Sequence, residues 1–199
     1  MKKNQRVTSS KFRKQRGFTM MEVLISVVVL TVGLVSMLAM FSISMAATNS
    51  AQEDMIAKQE AAETLESIFT ARNTAQINWN QIQNVANGGI FLDNAQQLLD
   101  PGPDGLDGTA DDLNSNPSCP GPSQCLQLPG KDGVMGTADD VWLPLNNYRR
   151  TILIQNTNLP NGAPDTSLRQ ITVTITYTTT QFRGIQKNYS IGAYISSYR

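Results

Sequence analysis

The 199-residue sequence contains no histidine and only two cysteines. The absence of histidine excludes Ser-His-Asp triads, histidine-ligated zinc and haem, and two-histidine iron sites. Two cysteines are too few for a four-cysteine zinc or iron–sulfur site. The sequence also lacks a GxxxxGK[ST] phosphate-binding loop and a GxGxxG motif after a strand. Several classes of enzyme are therefore excluded by composition alone.

Basic residues are concentrated at the N-terminus. The first 16 residues hold seven Lys and Arg side chains and no acid, whereas the rest of the chain holds nine basic and 16 acidic residues. An acidic body argues against nucleic-acid binding, for which a basic surface is expected. A basic head before an apolar segment instead indicates orientation in a membrane, with the positive end in the cytoplasm.

An uncharged segment covers residues 23–52, and its first 25 residues are mostly Val, Leu, Ile, Met and Ala. As a helix, 25 residues extend about 38 Å, enough to cross a hydrocarbon layer of about 30 Å. The C-terminal body would then be translocated. Glu22 is the only charge between Arg16 and Glu53. A carboxylate within a membrane helix is costly and indicates a function, whereas one at the headgroup boundary would cost little.

The residues around Glu22 form a specific motif. Gly17-Phe18-Thr19-Met20-Met21-Glu22, with a basic leader before it and an apolar run after it, resembles the prepilin signal of the type IV pilin and type II secretion pseudopilin superfamily. The resemblance implies that a prepilin peptidase cuts between Gly17 and Phe18 and methylates the new amino group of Phe18. It also implies that Glu22 meets the N-terminal amine of a neighbouring subunit and sets the register of a helical stack.

The run Val29-Leu30-Thr31-Val32-Gly33-Leu34 resembles minor pilins of the PilV type. The resemblance implies a structural protein that helps to initiate or modify a type IV pilus, without catalytic residues or a required cofactor. Its implied partners are prepilin peptidase, other pilins or pseudopilins, and an inner-membrane assembly platform, with no nucleic acid. Its implied location is the bacterial inner membrane, as a single-pass protein with a periplasmic C-terminal domain, and then the assembled pilus or pseudopilus.

Alternatives to this interpretation remain open. The chain could be a minor pseudopilin of type II secretion, or a pilus-tip module for adhesion or DNA uptake. Ser44-Met45-Ala46 before Ala47 also satisfies the small-x-small rule of ordinary signal peptidase, although the apolar stretch is longer than the usual signal-peptide core. A membrane-anchored hydrolase is disfavoured because the acidic loops described below contain no convergent base or nucleophile.

The predicted fold is α+β: a long N-terminal helix packed on a C-terminal antiparallel sheet. Since no proline occurs from residue 18 to residue 99, nothing forces a helix to stop at the membrane surface. Residues 52–72 read as a continuing amphipathic helix, so that residues 18–72 form one helix. The side chains expected on its apolar face follow three-and-four spacing and are Met55, Ala62, Leu65, Ile68 and Phe69.

The C-terminal third alternates between apolar and polar residues with period two, which predicts strands at 148–155, 171–177 and 189–195. Ile171, Val173, Ile175 and Tyr177 should pack on the helix. The intervening threonines favour β structure on a solvated face, and an adhesive role for them is an alternative. Residues 73–99, rich in Asn and Gln, read as a connecting segment. The expected organisation is a leader at 1–17, a membrane and assembly segment at 18–47, an amphipathic helix at 48–72 and a globular domain at 73–199.

Two acidic segments, residues 101–113 (loop 1) and 129–141 (loop 2), are identical at nine of 13 positions. Their glycines and prolines predict loops. Clustered aspartates on tight turns suit Ca²⁺, and loop 2 is similar to the calcium loop of major pseudopilins. A pair of solvated acidic turns without an ion is the alternative. The candidate ligands are Asp132, Asp139 and Asp140, followed by Asp104, Asp111 and Asp112.

Cys119 and Cys125 lie between the two loops, six residues apart. Disulfides persist in translocated domains, and the short Pro-Gly-Pro connection is compatible with a small closed loop. Such a bridge would stabilise the fold by about 2 kcal/mol. The sequence therefore favours a structural disulfide over two free thiols.

Overall fold

The computed structural model describes residues 17–114, 116–179 and 184–198, which belong to two compact units. The N-terminal unit ends at Met45 and the C-terminal unit begins at Ala46, so the first helix, α1 (Met20–Asn73), contributes residues to both. The basic part of the leader, residues 1–16, lies outside the described residues, and the prediction made for it stays a prediction.

The N-terminal unit consists of the first part of α1 and the three residues before it. Thr19 caps this helix: its carbonyl oxygen accepts the backbone N–H groups of Glu22 and Val23, at 3.1 Å and 3.2 Å. By length and composition, α1 is apolar enough to cross a membrane. Every described residue from 17 to 45 is exposed, so this apolar surface has no cover within its own unit.

In the C-terminal unit, α1 packs on the sheet through small and branched side chains. Ile56, Ala57, Ala61, Ile68 and Ala71 are buried. Alanine brings the helix backbone close to the sheet, and the isoleucines supply apolar area that is removed from water.

The predicted apolar face of this helix is partly wrong. Ile68 is buried, and Leu65 and Phe69 pack against the core, but Met55 and Ala62 are exposed. The buried face instead passes through polar residues, namely Glu53, Glu60 and Thr64. A spacing rule that counts only apolar side chains misses such a face. Two of these polar side chains have partners in the folded unit: Glu60 accepts from Gln124, and Thr64 accepts from Arg150.

The main sheet consists of β1 (Gln96–Gln97), β4 (Tyr148–Asn158), β5 (Pro164–Thr178) and β6 (Gln186–Ser196). These strands lie in the order β1-β4-β5-β6, and the sheet is antiparallel throughout. The three predicted strands lie within β4, β5 and β6 and extend further than expected. Ile171, Val173, Ile175 and Tyr177 are buried on the helix side of β5. The prediction of an α+β fold, with a long helix on an antiparallel sheet, is confirmed.

The connecting segment after α1 contains two 3₁₀ turns, Trp79–Gln81 and Val85–Asn87. Asn84 attaches it to β4, because its side chain donates to the carbonyl of Ile152 and accepts from the N–H of Ile154, both at 2.8 Å. Buried Arg169 of β5 donates to the carbonyl of Ile82 at 2.9 Å. Hydrogen bonds of side chains, and not a regular series of backbone hydrogen bonds, therefore attach this connecting segment to the sheet.

A second, two-stranded sheet pairs β2 (Cys125–Leu128) with β3 (Val141–Pro144). The sequence analysis identified no strand at either place. Leu128 pairs with Val141 at the base of loop 2, and an isolated bridge joins Asp100 to Leu113 at the base of loop 1. These four residues occupy equivalent repeat positions, so both loops are closed in the same way.

Candidate functional site

The residues of the predicted processing site lie together ahead of α1. Gly17 is exposed, and a Cβ atom at this position would meet nothing within 4 Å. Phe18 is 81% exposed. Gly17 and Phe18 therefore lie outside the helix and are accessible, as the substrate of a protease must be. Glu22 lies in the first turn of α1 and is exposed.

Glu22 is the only ionisable side chain on the described part of the N-terminal unit, and it forms no ion pair among the described residues. Three hydroxyl groups of this stretch are satisfied within the helix. Ser26, Thr31 and Ser36 each donate to the carbonyl four residues earlier, at 2.7, 2.6 and 2.8 Å. Local bonds of this kind remove hydroxyl donors from the helix surface, whereas the charge of Glu22 has no partner of opposite sign among the described residues of this unit.

Loop 1 is organised by its aspartates. The hydroxyl of Thr109 donates to Asp111 at 2.6 Å, and Asp112 accepts the backbone N–H of Gly108 at 2.7 Å. Asp104 accepts the N–H of Leu106 at 2.8 Å. The Thr109 hydroxyl lowers the pKa of Asp111 below its ordinary value.

Loop 2 repeats this network at the equivalent positions. Thr137 donates to Asp139 at 2.7 Å, Asp140 accepts the N–H of Gly136 at 2.7 Å, and Asp132 accepts the N–H of Val134 at 2.9 Å. The Thr137 hydroxyl likewise lowers the pKa of Asp139. The sequence repeat is therefore also a structural repeat.

Loop 1 is docked on the body of its own chain. Leu106 is 1% exposed and belongs to the core. The Arg150 guanidinium on β4 is equally buried, and it pairs with Asp107 at 2.9 Å and with Asp112 at 3.1 Å. Arg150 also donates to the hydroxyl of Thr64 on α1, at 3.2 Å. One guanidinium thus joins helix, sheet and loop.

The charge around this guanidinium is not balanced. Burial raises the pKa of Glu60 to about 7, and the neighbouring Glu63 acts in the same direction, although Arg150 opposes it. Burial also raises the pKa of Glu63, and it raises that of Asp112 despite the bond to Arg150. Glu60 accepts a hydrogen bond from Gln124 at 2.8 Å. Two aspartates therefore pair with this guanidinium directly, and Glu60 and Glu63 are affected by its charge without contacting it.

Loop 2 has no such docking site among the residues that the structure describes. Val134 and Met135, which stand where loop 1 has Leu106 and Asp107, are 55% and 57% exposed. Asp140 accepts the side-chain amide of Gln127 and forms no ion pair among the described residues.

The geometry of the two loops does not by itself support the calcium prediction. Among the described residues, no group of three acidic, histidine or cysteine side chains is arranged to hold a metal ion. In loop 1 one candidate ligand, Asp112, is already paired with Arg150. In loop 2, Asp139 accepts the N–H of Lys131 at 2.7 Å, so its oxygens already have donors in the loop. Calcium binding stays a prediction.

The two cysteines are close enough for the predicted disulfide. Their Cα atoms are 5.7 Å apart, within the usual range for a bonded pair. Cys119 is buried and Cys125 begins β2. The bridge would fix the entry of the hairpin that carries loop 2.

Sequence reasoning missed the buried polar residues that hold loop 1, namely Arg150, Asp107 and Thr64, and the buried Glu60 beside them. One signal was available. Strict alternation in β4 places Arg150 on the same face as Ile152 and Ile154, so an inward-facing arginine required a buried acidic partner. The identity of that partner depends on tertiary structure.

The prokaryotic N-terminal methylation motif matches residues 12–38. No curated protein and no solved structure matches the chain. The matched segment contains Gly17, Phe18 and Glu22, and it continues into the exposed apolar helix. It implies processing by prepilin peptidase and assembly with other pilins, and it fits a membrane-anchored protein. The motif and the helix that follows it together support a type IV pilin or pseudopilin.

Proposed function

We propose that this chain is a minor pilin of the PilV type. Prepilin peptidase cuts it after Gly17 and methylates Phe18, and the apolar part of α1 then packs into a type IV pilus, whose assembly the chain helps to initiate or modify. The observation that carries this proposal is the N-terminal unit itself: an apolar helix exposed over its whole described length, which begins directly after the matched processing residues.

The exposed apolar surface of this helix needs a cover. A contiguous apolar surface of this size is not stable in water, so lipid covers it in the membrane and neighbouring helices cover it in a filament. Glu22 is then the one charge inside an apolar bundle. A cut after Gly17 creates an amine on Phe18, and the amine of a neighbouring subunit pairs with Glu22. Removal of one partner of a buried pair typically costs about 3–5 kcal/mol.

Intact mass and the N-terminal residue of the full chain, recovered from membranes with and without prepilin peptidase, test this function. With the peptidase present, we expect a chain that begins at N-methyl-Phe18. A chain that begins at Ala47 would indicate ordinary secretion. An uncut chain in the presence of the peptidase would indicate a signal-anchored protein with another role.

A matched pair of glycine variants controls this experiment. Gly17 and Gly33 both have open space where a Cβ would stand. We expect Gly17→Leu to leave the full precursor in the membrane, because the side chain obstructs the peptidase, and Gly33→Leu to be processed normally.

We propose further that the body is periplasmic and that Cys119 and Cys125 form a disulfide there. The intact mass of the same membrane-derived chain, before and after reduction and alkylation, tests the disulfide. Free thiols that react without reduction would contradict it.

A further inference from the structure

We propose that the outer edge of β6, with the apolar side of α1 that borders it, binds an extended segment from the body of a different pilin subunit, which adds a strand to the main sheet. The inference rests on the proposed function, because a minor pilin is assembled among subunits of other kinds. It adds a contact between bodies to the contacts between apolar helices.

The two edges of the main sheet differ in how they are covered. At the β4 edge, β1 pairs with two residues near the start of the strand, and the side chain of Asn84 bonds to the carbonyl of Ile152 and the N–H of Ile154. At the β6 edge, no described residue outside β5 bonds to the backbone of residues 187–195. The outer backbone groups of β6 are therefore open to another strand.

Strand β6 also lacks the features by which natural sheets protect an open edge, namely short length, proline, a bulge and outward charge. It is 11 residues long, contains no proline and pairs with β5 in unbroken register. Its one charged residue, Lys187, lies near its start and contacts Asp54 at 3.0 Å and Ser50 at 2.9 Å. Such an edge favours the addition of a strand from another chain.

The side of α1 that borders this edge is apolar. Met55, Ala62 and Phe69 are seven residues apart, so they follow one line along the helix (the apolar flank). Met55 is 61% exposed, Ala62 is exposed and Phe69 is half-buried. Lys58, three residues after Met55 and four before Ala62, has its ammonium 5.9 Å from the centre of the Tyr189 ring. The apolar residues that the core does not use therefore lie beside the open edge.

These two features define the chemistry of the occupant. The open edge supplies backbone donors and acceptors, which bind an extended backbone. Because side chains alternate across a strand, every second side chain of the added segment faces the apolar flank. The others face the outer side of the sheet, where the hydroxyl groups of Thr174 and Ser190 are exposed and 3.0 Å apart. The occupant therefore alternates between apolar and polar residues.

The direction of β6 favours a different subunit over a second copy. Asp54 of α1 contacts Lys187 at the start of β6, and Arg72 donates to the carbonyl of Ser196 at its end, so α1 and β6 run in the same direction. A symmetric pair of β6 edges is antiparallel and would set the two α1 helices antiparallel. Subunits that enter one membrane by the same end are instead parallel.

The area of the contact suits an assembled pilus. An added strand of 11 residues is about 37 Å long and about 10 Å thick, so it covers roughly 370 Å² of the edge. The smallest stable interfaces cover about 600 Å² on each side. The apolar flank supplies part of the difference, and the N-terminal helices hold the subunits together while the contact forms.

Photo-cross-linking in a piliated host identifies the occupant. Full-length chains carry p-benzoyl-L-phenylalanine in place of Met55 or, as the control, in place of Gln52, which is exposed and lies beside Leu143 of β3. We expect the Met55 position to join to the body of a different processed pilin, through a peptide that alternates between apolar and polar residues. A product with a second copy, a product with a protein that is not a pilin, or equal yields from both positions would overturn the proposal.

A charge on the apolar flank tests the chemistry of the contact. In the chain with the cross-linker at position 55, we expect Ala62→Glu to lower the yield about tenfold, because its carboxylate would be buried against the added segment. Gln52→Glu, on the side of the helix that faces β3, should leave the yield unchanged. Equal yields from the two variants would contradict an apolar contact.

Hydrogen exchange at residue resolution tests whether the contact is an added strand. Full-length chains in sheared filaments are compared with processed chains in membranes of a host without the assembly platform. We expect every second amide of residues 187–195 to exchange at least about tenfold more slowly in filaments. The amides between them are bonded to β5 and should not change. Equal exchange in both samples, or slowing without this alternation, would overturn strand addition.

The N-terminal residue of the same samples separates the two possible failures. Chains that begin at N-methyl-Phe18 and enter filaments without the cross-linked product would overturn this inference and leave the proposed function intact. Chains that remain uncut would contradict the proposed function itself.

Discussion

At the scale of single residues, a variant of Glu22 allows processing and assembly to be tested separately. We expect Glu22→Gln to be cut and methylated normally, because the cut lies outside the helix that contains it. Its share in sheared filaments should fall strongly relative to its share in membranes, because the buried amine of Phe18 loses its partner. Glu22→Asp is the matched variant that keeps the charge. An unchanged ratio of filament to membrane protein for Glu22→Gln would contradict the register role.

Two adjacent arginines provide a test of the buried charge cluster. We expect Arg150→Met to lower the free energy of unfolding of the C-terminal unit, residues 46–199, by about 3–5 kcal/mol, because Asp107 and Asp112 lose their cation. The exposed Arg149→Met should change it by less than about 0.5 kcal/mol. Urea denaturation of both variants measures the difference. Equal effects would show that the guanidinium of Arg150 contributes little.

The raised pKa of Glu60 predicts how the free energy of unfolding depends on pH. Its pKa of about 7 lies above the ordinary 4.5, so the folded state binds this proton more tightly than the unfolded state does. The contribution of Glu60 to the free energy of unfolding is therefore largest below pH 4.5 and is lost as pH rises through about 7. The shift corresponds to a change on the order of 3 kcal/mol.

Urea denaturation of the C-terminal unit at about pH 5.5 and about pH 8 checks this sign. We expect the native chain to be more stable at the lower pH, and Glu60→Gln to reduce that difference and to be more stable than the native chain at the higher pH. Exposed Glu66→Gln on the same helix is the control. Greater stability of the native chain at the higher pH would contradict the assignment.

At the scale of elements, the two loops allow the cost of backbone strain to be compared with the cost of a collision between side chains. Gly108 and Gly136 have φ angles of +79° and +88°, where an L side chain costs roughly 1–2 kcal/mol. Both alanine variants carry this cost, but only in Gly108→Ala does the new Cβ collide with Ile152. We expect Gly108→Ala to destabilise the C-terminal unit more than Gly136→Ala, as measured by thermal unfolding. Equal destabilisation would mean that loop 1 shifts freely on the body.

The elements differ in how far the sequence predicts them. The uncharged helix follows from its composition, and strands β4, β5 and β6 follow from their period of two, because alternate residues are buried in β4 and β5 and half-buried in most of β6. Strands β2 and β3 have no such face: their side chains are half-buried or exposed, and their pairing depends on the loop between them. The inward face of α1 was misassigned at Met55 because Glu53, Glu60 and Thr64 replace apolar residues there.

At the scale of the whole molecule, the processing residues are local in sequence and could be predicted from it. Gly17, Phe18 and Glu22 lie within six residues, and no tertiary contact is needed to place them. The cluster around Arg150 joins residues from α1, loop 1 and β4, so its members become neighbours only after folding. The sequence repeat predicted two similar loops but did not predict that one is buried and the other exposed.

The calcium prediction can be tested on the thermal stability of the whole C-terminal unit. If loop 2 binds Ca²⁺ through Asp132, Asp139 and Asp140, added calcium should raise the melting temperature of the C-terminal unit and a chelator should reverse the rise. Asp139→Asn should abolish the response, whereas Asp111→Asn in loop 1 should retain it. A melting temperature that calcium does not change would contradict calcium binding.

The fold constrains the side chains of loop 1 more strongly than those of loop 2, although the two loops share one internal structure. Loop 1 is held by the core and by Arg150, so a change at Leu106 or Asp107 is opposed by folding itself. Loop 2 keeps the same internal frame, but the side chains at Val134 and Met135 contribute little to the stability of the body. Substitutions at Val134 or Met135 therefore risk little of the folding energy, whereas the same substitutions at Leu106 or Asp107 disturb the core. One copy of the repeat supports the body, and the other leaves its side chains free of that task.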